Sequence, residues 1–148
     1  MSVPASLPLV VDASVVVKLV LDEPRSDLAR RLYEQSVDTG QRLVAPTILP
    51  NEVINAVYRQ LRRGGLAEAR ADAAVAQFLD LAVNLLAPPD LARAAYAYAK
   101  LHHLGVIYVA LYVVLARDLG ADFWTDDQRL LNTLRSSAPW VRWIGDYP

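Results

Sequence analysis

Four short apolar runs, with a fifth near the C-terminus, alternate with longer stretches of helical spacing, and this alternation leaves the chain few architectures. Leu7–Val11 (LPLVV) is continuous and apolar and is closed by Asp12, as expected of a strand buried on both faces. The stretch SVVVKLVLDE then reads as a helix stopped by Pro24, and a more polar helix runs from Ser26 to Val37 and ends near Gly40. Arg42–Ala45 is the second run, Asn84–Ala87 the third, Ala121–Thr125 the fourth and Val141–Ile144 the fifth. After the second run, TILPNEVINAVYRQLRRGG predicts a helix with Thr47 as N-cap, Pro50 in the first turn and Gly64-Gly65 as the stop. Further helices are expected over Leu66–Leu81, Asp90–His103, Val106–Leu119 and Asp126–Arg135. Short strands alternating with helices specify an α/β fold: a central, mainly parallel sheet of four to five short strands, joined by right-handed crossovers.

A chain of 148 residues, 54% of them hydrophobic, is the right size for one domain with a real core, and no composition break divides residues 1–148. The absence of Cys excludes a disulfide scaffold, a thiolate zinc site and a catalytic thiol, so any metal must be held by oxygen. Lys and Arg number 15 against 16 Asp and Glu, a net charge of −1, which does not advertise nucleic-acid binding. The N-terminal MSVPASLPLVVDAS has no basic region and is broken by Pro4 and Pro8, so it is not a secretory signal. The longest apolar run, Leu104–Ala116, is about 13 residues long where a bilayer needs about 20, so it reads as a buried helix. No membrane association and a cytoplasmic location follow by elimination.

In open parallel sheets, ligands collect beyond the carboxyl ends of the strands. Asp12 follows the first strand, Glu52 lies about a turn into the helix after the second, and Asp126-Asp127 follow the fourth. If those strands are neighbours, three or four carboxylates converge, and carboxylates that close require raised pKa values or a cation among them. An all-oxygen set favours Mg2+ or Mn2+, which suit phosphodiester hydrolysis by activating water and offsetting phosphate charge. Each acid has a plainer reading: Asp12 as a helix N-cap, Glu52 as a partner of the helix dipole, Asp126 or Asp127 as the cap of the last helix. Ser14 either caps the same helix as Asp12 or orients its carboxylate. Capping alone does not explain acids after three different strands. A phosphoacceptor receiver domain also places Asp after such strands, but it needs an acidic pair at the first, and Lys100 lies inside a helical pattern.

Three segments, LVVDASVVVKLVLDEP, VAPTILPNEVINAVYRQLRRG and ALYVVLARDLGADFWTDDQRLL, together resemble a PIN domain, most of all the toxin components of VapBC toxin–antitoxin pairs. The resemblance implies a PIN-like three-layer sandwich and a Mg2+- or Mn2+-dependent endoribonuclease. It further implies a homodimer, an RNA substrate and a cognate antitoxin that inserts a segment into the acidic cleft. By the same resemblance Asp12, Glu52 and Asp127 are the catalytic and metal-binding carboxylates, Asp127 being the acid of a T-x-D pattern, with Thr125 in support; Ser14 joins as a supporting residue through its place beside Asp12.

One position departs from the family. Where its members carry Tyr-Asp-Ala-Leu-Tyr, this chain reads Tyr108-Val109-Ala110-Leu111-Tyr112, so Val109 replaces an expected acid. Three accounts fit: a weakened or inactive enzyme, a substitution engineered or selected to silence a toxic protein, or compensation by Asp126 or Asp122. The rival function is accordingly a PIN-fold module that binds RNA or an antitoxin without cleaving. His102-His103 suit a helix C-terminus. Tyr96, Tyr98, Tyr108, Tyr112, Trp124, Trp140 and Trp143 read as core or interface before they read as base-stacking groups. Arg59, Arg62 and Arg63 share the helix of Glu52 and either border the cleft or form a solvated face.

Overall fold

The computed structural model describes residues 5–148, so Pro4 lies outside the described residues. The chain runs β1 (Leu9–Val11), α1 (Ala13–Val20), α2 (Ser26–Thr39), β2 (Leu43–Pro46), α3 (Leu49–Arg62), α4 (Glu68–Leu79) and β3 (Val83–Leu86). It continues α5 (Leu91–Leu101), α6 (Ile107–Leu119), β4 (Phe123–Thr125), α7 (Gln128–Leu134), β5 (Val141–Trp143) and a 3-10 turn (Ile144–Asp146). The five strands form one sheet in the order β3-β2-β1-β4-β5, and every pairing is parallel. Helices flank the sheet, as the α/β reading expects.

Several boundaries differ from those expected. β1 and β4 are each shorter by two residues at the start, because β1 first pairs with β2 where Leu9 meets Leu43, and with β4 where Val10 meets Phe123. Thr47 does not cap α3: Ile48 occupies the cap position without a side-chain bond, while Pro50 sits at the start of the helix as expected. Val106 stays extended, so α6 starts at Ile107, and Ile144 leaves the last strand for the 3-10 turn.

The core explains why two helices carry so few charges. In α1, Val15, Val16, Val17 and Val20 are all buried, since this helix packs against α2, α3 and α4. In α6, Tyr112 to Ala116 are buried without interruption, since the helix lies against α5 and against β1, β2 and β4. The apolar run 104–116 is thus a central helix. Among the described residues no helix is long and apolar enough to cross a membrane.

The sheet order also locates the site. From β1 the chain moves outward to β2 and β3, then returns to the other side of β1 for β4 and β5. The reversal falls between β1 and β4, and the crevice at their carboxyl ends is where such sheets bind ligands.

Candidate active site

Asp12 ends β1 and caps α1, so the plain reading of this residue is correct as far as it goes: its Oδ1 accepts from the Val15 amide at 3.3 Å. The carboxylate does more than cap. Ser14 Oγ donates to Oδ1 and Thr125 Oγ1 donates to Oδ2, both at 2.5 Å. Each hydroxyl is itself fixed from the turn after β4: the Asp126 amide donates to Ser14 at 2.8 Å, and the Asp127 amide donates to Thr125 at 3.1 Å. Two hydroxyls thus tie the end of β4 to the end of β1, and both are spent orienting one carboxylate. Burial nevertheless pushes the Asp12 carboxyl up to about 6, against the lowering effect of Ser14, Thr125 and Val15, and the charge of Glu52 adds to the rise.

Glu52 lies in the first turn of α3, where the helix dipole favours an acid. Its Oε1 accepts from the buried Tyr112 hydroxyl of α6 at 2.6 Å. Burial and the neighbouring carboxylates of Glu52 and Asp12 raise the Tyr112 phenol far above its ordinary range, so it is a fixed donor. Tyr112 was expected only as core or interface; its position one helical turn after Val109 is the signal that ties it to the site. Residues three apart share a helix face, so an acid at 109 would stand on the face of α6 that meets Glu52.

Asp127 caps α7, its Oδ1 accepting from the Arg129 and Leu130 amides at 3.0 and 3.1 Å. Oδ2 has no protein partner among the described residues. Asp126 behaves differently. Its oxygens take Arg25 through two bonds at 2.8 and 2.9 Å, Lys18 at 3.0 Å and the Trp143 indole N–H at 2.9 Å. Burial alone would raise its carboxyl, but these three partners together hold it below the usual range. A carboxylate so fully engaged has no lone pair directed to an ion, which removes Asp126 from the ligands considered above. Asp122 is removed by position: it precedes β4, at the opposite end of the sheet, where it pairs with Arg142 at 2.8 Å.

Lys18 and Arg25 carry the weight that the sequence did not assign to them. Lys18 is 4% exposed, sits one turn after Ser14 on α1, and bridges Asp126 to Glu23, the latter at 3.3 Å. Arg25 holds a left-handed backbone (φ 67), a strained conformation for this residue type, and places its guanidinium 5.5 Å from the Trp143 ring. Ser14, Lys18, Glu23, Ala56, Asp126 and Asp127 border a cleft of about 390 Å3. Arg59, Arg62 and Arg63 are exposed and do not line it.

Residues 9–134 match the PIN domain family. The chain belongs to that family. Among its relatives, Ribonuclease VapC3 of Pyrobaculum aerophilum is 32% identical over 124 residues, covering 82% of this chain and 91% of the relative. Among solved structures, PAE2754 from Pyrobaculum aerophilum has a TM-score of 0.69 at 22% identity, covering 94% of this PIN chain and 92% of that one. The sarcin-ricin loop cleaving toxin VapC20 of Mycobacterium tuberculosis has a TM-score of 0.62 at 18% identity, covering 88% and 95% respectively. At these identities the two structures support the PIN fold.

The donors fit a hard divalent ion in kind: they are carboxylate oxygens, and burial with a smaller contribution from the charge of Glu52 raises the Asp12 carboxyl. In number they are sparse. Among the described residues no three His, Asp or Glu side chains stand together as a metal-binding group. Mg2+ typically uses only one or two carboxylates together with water and substrate phosphate, so the Asp12–Glu52 pair remains an adequate set of that kind.

Proposed function

We propose that this PIN-domain protein is a toxin-type endoribonuclease that hydrolyses RNA phosphodiester bonds with Mg2+ or Mn2+. The observation that carries the reading is Asp12: a carboxylate at the switch point of a parallel sheet, oriented by Ser14 and Thr125 and raised by burial. The likeness to Ribonuclease VapC3 supports it. Asp12 and Glu52 would hold the ion, with the free Oδ2 of Asp127 next in line. When bound, such an ion supplies Lewis acidity toward the phosphate and lowers the pKa of attacking water. Ser14 and Thr125 keep both Asp12 oxygens in place, Tyr112 fixes Glu52, and the Lys18–Asp126–Arg25 group fixes the turn that carries Asp127. The partners proposed with this activity are an RNA substrate, a cognate antitoxin and a second copy of the chain. The exposed Leu101, Val106, Ile107 and Tyr108, where α5 meets α6, are the apolar surface offered for that pairing.

Titrating Mg2+ into the protein with a mixed RNA pool tests the reading: metal-dependent cleavage abolished by Asp12→Asn is expected. Cleavage unaffected by Asp12→Asn would overturn it. The sparse donor set and the valine at 109 favour one second reading, a PIN module that binds RNA or an antitoxin without cleaving. RNA binding with no cleavage at any Mg2+ or Mn2+ concentration would select it.

A further inference from the structure

We propose that the groove between α7 and β5 is a subsite for an unpaired RNA nucleotide beside the acidic cleft, an assignment that rests on the nuclease reading above. The groove encloses about 560 Å3, within the range of sites that take small ligands. Gln128 and Asn132 of α7 and Arg135 at its C-terminal cap line it at i, i+4 and i+7, forming an exposed polar stripe. Trp143, Arg142 and Asp146 stand beside this stripe, and apolar residues such as Leu131 and Val141 line the rest of the wall. This mixture matches single-stranded RNA: an aromatic surface for a base, guanidinium groups for phosphate, and amide or carboxylate groups for base edges and the 2′-hydroxyl. Arg142 spends its Nε on Asp122, which braces it at the rim.

The aromatic wall is fixed in advance. The Trp143 N–H is bonded to Asp126, its ring lies beside the Arg25 guanidinium, and Gly145 gives it room. A Cβ at position 145 would come within 2.5 Å of three indole carbons, so only glycine admits this placement of the ring. A half-buried tryptophan held this way loses little freedom when a ligand arrives. One hydrogen bond of this wall reaches the neighbouring cleft. Trp143 borders the groove and is bonded to Asp126, which borders the acidic cleft with Lys18 and Asp127. A nucleotide seated against Trp143 would thus lie one side chain away from the cleft.

The test uses fluorescein-labelled single-stranded RNA of roughly twelve nucleotides and mixed sequence, read by anisotropy in the Asp12→Asn protein so that the probe stays intact. Arg135→Glu is expected to weaken binding about tenfold or more. Arg93→Glu, the same charge change at an exposed position on α5, should shift it by less than about twofold. Gly145→Ala, which changes no charge, should weaken binding while its melting curve still shows a folded protein. Equal effects of Arg135→Glu and Arg93→Glu, together with unaltered binding by folded Gly145→Ala, would overturn the subsite. Cleavage assays on the parent separate this from the nuclease reading. Metal-dependent cleavage alongside unchanged groove variants removes the subsite alone, whereas a parent that neither cleaves nor binds RNA removes both.

Discussion

Asp12 combines two demands that oppose each other, and its substitution should separate them. Its folded-state pKa of about 6 lies above the ordinary 3.8, so between those values the native state holds more protons than the unfolded one. Stability of the metal-free protein therefore falls as pH rises through that window and stays lower above it. Asp12→Asn removes the charge, and at pH 7 it should stabilise the metal-free protein by about 1–2 kcal/mol, after discounting for partial exposure. In a chain of this length that is about 2–8 °C in melting temperature, and the gain should vanish below pH 4. The same variant should lose about 10²-fold or more in RNA cleavage. A substitution that stabilises the fold while removing activity marks a carboxylate kept for function. Thr125→Val leaves the acid but removes its Oδ2 donor and the acceptor for the Asp127 amide, and should cost about 10–100-fold in activity. Asp12, Ser14 and Thr125 were legible in the sequence, because a strand ending in an acid and a T-x-D pattern are local signals. Lys18 and Arg25 were not, because their partner Asp126 lies about a hundred residues away in the chain.

At the level of elements, the site depends on α3 and α6 meeting through Glu52 and Tyr112. Val109 stands three residues before Tyr112, in the first turn of α6, where the helix dipole would favour an acid. Val109→Asp should tighten Mg2+ binding about tenfold, the equivalent of one more charge-assisted contact of roughly 1.4 kcal/mol, and should raise cleavage with it. Isothermal titration and a cleavage assay on the same preparation check this; no change in either would mean that position 109 does not face the ion. The turn between β4 and α7 carries a different prediction. Asp126→Asn leaves Lys18, buried on α1, with Glu23 as its single acidic partner, and should cost about 2–4 kcal/mol in urea unfolding. That the strands exist was plain from their apolar runs. Their ends were not, since the first paired residue of β1 depends on where β2 and β4 happen to lie. The misplaced cap of α3 has the same origin: Thr47 has the right chemistry for a cap, but the backbone enters the helix one residue later.

Across the whole molecule, a net charge of −1 conceals a strongly uneven distribution. Asp12 follows β1 at the switch point of the sheet, Asp126 in the turn after β4 is neutralised by two cations, and Arg135 and Arg142 line the groove between α7 and β5. Overall charge was thus a poor guide to where the charged side chains stand. The folded protein without metal bears the cost of keeping a buried Asp12 charged, with a smaller addition from the charge of Glu52, and the unfolded chain does not, because there the carboxylate is solvated. Any ion that binds the pair must therefore stabilise the native state, by about 2.7 kcal/mol at a free concentration a hundred times its dissociation constant. Thermal melts at pH 7 should shift upward with Mg2+ or Mn2+ by about 5–10 °C at saturation and return to the starting value on chelation. The shift should be lost in Asp12→Asn, retained in Arg93→Glu, and reached at lower Mg2+ in Val109→Asp. A melting temperature indifferent to Mg2+ and Mn2+ in the parent protein would show that the acid pair does not hold the ion.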